Sequence, residues 1–129
     1  MVPIPEEYHD LFEKPTFAHV GTLTADGAPH ITPVWIDYDP EAKRLLVNTE
    51  RGRQKERNAR ANPVVGVSMT DPDDPYRYLS VVGEVEELQT DGARAHIDEL
   101  SQRYLDVEEY PNPVETERVI VRIRPDRVL

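Results

Sequence analysis

Three observations predict a mainly β, α+β fold, in which six short strands form a small antiparallel barrel with two or three helices set between them. Runs rich in β-branched residues recur along the chain, an Asp-Gly pair joins two of them, and helical spacing is confined to short stretches. At 129 residues the sequence is expected to form one domain, 1–129, around one core.

Residues 6–14 place Tyr8, Leu11 and Phe12 at helical spacing, and Pro15 ends that short amphipathic helix. Residues 17–23 read as a strand, Asp26-Gly27 as a hairpin turn, and 30–38 as the returning strand. A turn over 39–43 leads into a third antiparallel strand at 44–48. A helix of about two or three turns is predicted over 53–61, stopped by Asn62-Pro63 because proline disfavours helical geometry in the residue before it. The β-branched run 64–69 is a buried strand, 71–75 a loop, and 76–88 a long strand with a bulge or bend at Gly83. Thr90 or Asp91 is expected to cap a second helix that runs through Tyr104, with Ala95, Leu100 and Tyr104 among its apolar positions. The polar stretch 106–117 is a loop long enough to act as a lid or dimer arm, and 119–123 alternates as the last strand.

Composition removes several classes of function. A net charge of -10 opposes general nucleic-acid binding, since such a chain repels a phosphate polymer wherever no local patch overrides its field. No cysteine is present, so disulfides, thiolate metal sites and cysteine nucleophiles are excluded. His9, His19, His30 and His96 show no metal-binding spacing and are expected at the surface or at strand ends. No Gly-x-Ser-x-Gly, Gly-x-Gly-x-x-Gly or Gly-Lys-Ser/Thr sequence occurs, so any enzymatic reactivity is expected to come from a bound cofactor. With no apolar run of membrane-spanning length and a start that is neither a signal peptide nor an anchor, the expected compartment is cytoplasmic, without a membrane partner.

Against that acidic background, residues 51–60 hold five cations, Arg51, Arg53, Lys55, Arg57 and Arg60, and the single carboxylate Glu56. The segment follows the apolar run 45–47, so a strand would deliver a basic loop to a helix start, where free N–H groups and the helix dipole favour an anion. The competing reading is a solvated helix face with Glu–Arg pairs.

The order of these elements, with Arg51-Gly52-Arg53-Gln54-Lys55-Glu56-Arg57-Asn58 followed by Asn62-Pro63, and with Asp74-Pro75-Tyr76-Arg77-Tyr78-Leu79, resembles the pyridoxamine 5'-phosphate oxidase-like, FMN-binding split-barrel family. Within that family it looks most like the branch of coenzyme F420-dependent oxidoreductases. The resemblance spans essentially the whole chain and implies a homodimeric split β-barrel with two cofactor sites at the interface. By motif position it implies that Arg53 and Lys55 bind the cofactor phosphate and that Thr49 and Asn58 add polar contacts. It further implies that residues 31–35 line the ring, with backbone groups of Thr32 and Pro33 at its polar edge and Trp35 against it, although Trp35 would serve equally as a core or interface anchor. Tyr76 and Tyr78 could reach in from the partner or simply pack on the sheet.

The implied activity is hydride transfer from reduced coenzyme F420 to a small unsaturated organic acceptor. Alternatives are an FMN-dependent flavoprotein oxidoreductase of the same fold, and a non-catalytic module that binds or stores a flavin. Arg51, Arg57 and Arg60 are the cations available for the longer anionic tail of F420, so reversing Arg57 or Arg60 should weaken F420 more than FMN. The chain ends without the histidine that true pyridoxamine-phosphate oxidases carry in a C-terminal substrate motif, so vitamin B6 oxidation is not expected. The sequence assigns no side chain as catalytic acid or base and leaves the acceptor unspecified.

Overall fold

The computed structural model describes residues 1–129. A 3-10 helix, Glu6–Phe12, leads into β1 (Ala18–Leu23), β2 (Pro29–Val34), β3 (Asp37–Asp39) and β4 (Arg44–Glu50). Helix α1 (Gln54–Ala61), β5 (Val64–Asp71), β6 (Asp74–Gln89), α2 (Ala93–Leu105) and β7 (Arg118–Val128) complete the chain. The strands form one antiparallel sheet in the order β2-β1-β5-β6-β7-β4-β3. It curls around a core that includes Leu11, Val20, Ile36, Leu45, Met69 and Ile123. No helix is long and apolar enough to cross a membrane.

The sheet has seven strands rather than the expected six, because the returning segment 30–38 is two strands. The break falls at Trp35-Ile36, where Tyr104 replaces a strand neighbour: its hydroxyl accepts from Ile36 N at 3.1 Å and approaches Ile36 O at 3.3 Å. Ile36 is thereby turned fully into the core. β2 is an edge strand, the position where the missing N–H groups of Pro29 and Pro33 leave no central ladder unpaired.

The opening helix is 3-10 rather than α, a geometry that stacks Tyr8 directly over Leu11 and sets His9 and Phe12 against the Tyr38 ring. The expected loop 71–75 is a tight connection in which Asp71 pairs with Asp74. At Gly83 the β6–β7 register shifts, and a Cβ there would sit 2.3 Å from Arg124 O, so only glycine fits. β7 runs past 123 because Pro125, Arg127 and Val128 continue the pairing with β6. Helix α2 starts at Gly92, in the left-handed region at φ 75°, with no side-chain cap from Thr90 or Asp91. Ala95 faces solvent; the buried face of α2 is Ala93, His96, Ile97, Leu100 and Ser101.

Candidate functional site

Strand β4 delivers Asn48, Thr49 and Glu50 to a turn at Arg51-Gly52, where Gly52 takes φ 95°, and the chain enters α1 at Gln54. The fully buried Glu56 carboxylate shapes this turn: it accepts from Gly52 N at 2.7 Å and pairs with Arg60. The first bond of α1 runs from Arg57 N to Arg53 O at 3.0 Å, so the N–H groups of Gln54, Lys55 and Glu56 have no helical partner.

Beside this turn opens a cleft of about 400 Å³. Its apolar wall comprises Phe17, Pro33, Val34, Trp35, Ile97 and Leu105; its polar lining comprises Asn48, Thr49, Arg53, Lys55, Asn112 and Arg118, with Tyr110 over it. Trp35 is held by stacking on Tyr104, with centroids 5.1 Å apart and planes 15° apart, and meets the Tyr110 ring edge-on at 6.2 Å. The Arg118 guanidinium lies over the same Tyr110 ring, 5.0 Å from its centre.

Two of the three cations here lack counter-ions. The Lys55 ammonium makes no hydrogen bond or ion pair within the chain; burial first, then Arg53 and Arg118, push it below the ordinary lysine range. Arg118 is only 8% exposed and has no carboxylate within ion-pair distance, and burial pushes it down from the usual guanidinium value. The nearest carboxylate, Glu50, is committed elsewhere. It accepts the N–H groups of Thr116 and Glu115, which together with Arg53 hold it below the usual range, and Arg53 stands 3.6 Å from it. Three cations converging on one cleft with an aromatic wall suit a ligand that joins a flat ring to a phosphate.

A second, polar groove of about 530 Å³ continues from the cleft past Arg53, Tyr110 and Asn112 to Arg51, Gly52, Pro113, Glu115 and Thr116.

Of the residues singled out in the sequence, the fold brings Arg53, Lys55, Thr49, Pro33 and Trp35 together at the cleft. Arg51 lines the polar groove with its side chain paired to Glu117. The Arg57 guanidinium is turned onto Gly52 O and Gln54 Oε1, and Arg60 is paired to Glu56. Asn58 is buried against the sheet, donating to Thr22 Oγ1 at 3.0 Å and accepting from Gln54 Nε2. Thr32 sits on β2 with a buried hydroxyl that has no partner, outside both lining sets, and Tyr78 lies exposed on β6, also outside them.

Sequence reading missed Arg118, Tyr110, Asn112, Asn48 and Phe17. Tyr110 and Asn112 lie in the loop whose length marked it as a lid, and Arg118 precedes the alternation 119–123 with nothing local to set it apart. His96 corrects the surface expectation: it is 7% exposed, between Asn48 and Asp37. No group of three His, Asp or Glu side chains that could hold a metal ion occurs.

Comparison with known proteins matches residues 4–129 to the family model described as pyridoxamine 5'-phosphate oxidase. The chain is 32% identical over 113 residues to an F420H(2)-dependent biliverdin reductase of Mycobacterium tuberculosis (strain CDC 1551 / Oshkosh), covering 87% of this chain and 77% of that one. It is 38% identical to a solved F420 reductase, with a TM-score of 0.84 and 98% of each chain covered. A Group A Streptococcus HupZ variant shares the fold at 24% identity and a TM-score of 0.68, with 98% of each chain covered.

Proposed function

We propose that this chain, which belongs to the pyridoxamine 5'-phosphate oxidase family, is a reductase that binds reduced coenzyme F420 and serves a small unsaturated organic acceptor. The observation that carries this reading is the unpaired Lys55, set among Arg53 and Arg118 at the start of α1 and facing an aromatic wall. The names of the relatives, an F420 reductase and an F420H(2)-dependent biliverdin reductase, favour F420 over FMN.

When bound, the deazaflavin supplies the hydride. The chain supplies placement. Arg53 and Lys55, with the free N–H groups of α1, hold the phosphate; Thr49 adds a hydroxyl beside them. Phe17, Val34, Trp35, Ile97 and Leu105 give the ring an apolar wall to pack against. Tyr110 lines the same cleft from the loop. No side chain is assigned as an obligatory acid; solvent or a nearby tyrosine supplies the proton.

We also propose that the protein acts as a homodimer. The outer face of β2, β1, β5 and β6 exposes Ile31 beside a hollow lined by Gly21, Gly66, Ser68 and Ser80, with Tyr78 exposed two residues before Ser80 on β6, so that small residues are flanked by apolar ones. Sedimentation should then return about twice the 14.8 kDa chain mass.

The test is a fluorescence titration of the purified protein with F420 and, separately, FMN, in wild type and Lys55→Ala. Tight F420 binding weakened by about tenfold or more in the variant, the scale of one charged contact, supports the reading. Preference for FMN moves the protein to flavin chemistry, and binding of neither removes the cofactor site.

A further inference from the structure

Arg118 enters the cleft from the first position of β7, and a chain of polar side chains holds it there from behind, in the seam between α2 and the sheet. Its Nε donates to Asn48 Oδ1 at 2.8 Å. Asn48 Nδ2 donates to Ala93 O at 2.8 Å and lies 3.1 Å from His96 Nδ1. His96 Nε2 is 3.1 Å from Asp37 Oδ2, and Arg103 reaches Asp37 Oδ1 at 3.2 Å.

The proton positions along this chain are fixed by what its two neighbours can do. Arg118 only donates and Ala93 O only accepts, so the amide of Asn48 has one orientation, oxygen toward Arg118 and nitrogen toward Ala93 and His96. An amide nitrogen only donates, so His96 Nδ1 accepts. Its Nε2 therefore carries the proton and donates to Asp37, the carboxylate that Arg103 also holds. Every group in the series is matched donor to acceptor in this arrangement alone; a proton on Nδ1 would oppose Asn48 Nδ2, and flipping the amide to suit it would set its nitrogen against Arg118 Nε and its oxygen against Ala93 O.

We propose that Arg118 is a third ligand-binding cation of the cleft, and that Asn48 and His96 are positioning residues that fix its guanidinium through a neutral His96 protonated on Nε2. The proposal rests on the reading of the cleft as the seat of a phosphate-bearing cofactor. A guanidinium 8% exposed, with no carboxylate of its own, is costly to keep, and an arriving anion supplies the missing charge. Holding its Nε from behind leaves the fork end of the side chain to meet that anion without a further loss of side-chain freedom.

Two histidine variants separate the halves of the chain, because an asparagine amide occupies the place of Nδ1 and a glutamine amide that of Nε2. His96→Asn keeps the acceptor for Asn48; His96→Gln keeps the donor for Asp37. Titrations with F420 and with FMN should show Arg118→Gln weakening the preferred ligand by about tenfold or more, and His96→Gln by about threefold to tenfold. His96→Asn should stay within about twofold of wild type. An unchanged affinity in Arg118→Gln, or a His96→Gln that binds as well as His96→Asn, overturns the proposal and leaves the cofactor reading standing. A wild-type protein that binds neither ligand removes both. Should the His96 variants not fold, histidine 15N NMR of the wild type decides: a protonated Nε2 with a bare Nδ1 is expected, and a protonated Nδ1 overturns the relay.

Discussion

Two clusters of charge in this molecule use the same residue types to opposite ends. Where the 3-10 helix meets the β5–β6 turn, Lys14 and Arg77 are shared among Asp10, Asp71 and Asp73, with Lys14 Nζ 2.7 Å from Asp71 and Arg77 2.8 Å from it. At the cleft, Arg53, Lys55 and Arg118 face only Glu50, whose Oε1 is taken by two backbone N–H groups and whose Oε2 lies 3.6 Å from Arg53 alone. The first cluster is closed and serves the fold: Lys14, then the Asp73 N–H, then Arg77 hold the Asp71 carboxyl well below the usual carboxylate range. The second is open and costs stability until an anion completes it. The difference teaches that unpaired charge, rather than charge as such, marks the site in this acidic chain.

The comparison breaks most sharply at Lys55. Lys55→Glu should lower affinity for the preferred cofactor by about 100-fold, while Lys55→Met lowers it about tenfold and leaves Tm no lower than wild type, since each relieves the crowding of cations. A drop in Tm with Lys55→Met would mean the ammonium is paired for structure after all. Asp71→Asn should do the reverse, lowering Tm while cofactor affinity stays within about twofold. Its pH dependence has a fixed sign. The folded carboxyl lies below its unfolded value near 4, so its stabilisation is complete above about pH 5 and is lost as pH falls toward the folded value. The Tm gap between wild type and Asp71→Asn should therefore narrow on acidification, and a constant gap would show that the carboxylate is not what holds the junction.

A smaller effect concerns protons. An anion beside Lys55 offsets the burial and the neighbouring cations that depress its pKa, so cofactor binding at alkaline pH should take up a fraction of a proton. Calorimetry in buffers of different ionisation enthalpy would read this, and proton release would contradict it. The smallest expected change is in Arg57→Glu, because that guanidinium is turned onto Gly52 O and Gln54 and lies outside both cavities. Its F420 affinity should change by no more than about twofold to threefold, in place of the larger loss expected from the sequence, whereas a loss confined to F420 would place the cofactor's anionic tail along α1.

Much of the fold was legible because its signals are local. Period-2 runs, the Asp26-Gly27 hairpin, the Asn62-Pro63 stop and the register shift at Gly83 each depend on neighbours within a few residues. The basic segment 51–60 was legible for the same reason, as a sign of charge out of keeping with the rest. What the sequence by itself determined is therefore the β-rich class, the order of elements, and Arg53 and Lys55 at a helix start.

The tertiary structure decided the rest, through contacts between positions far apart in the chain. It split the second strand because Tyr104, 68 residues on, claims Ile36 N. It buried His96 because its two ring nitrogens find Asn48 and Asp37 across the α2 seam. It joined Arg118 to Asn48, 70 residues earlier, through the β4–β7 pairing. It also sorted five cations of similar appearance into those spent on Glu56, Glu117 or the turn and those left facing the cleft, a division set by which carboxylates the fold brings within reach.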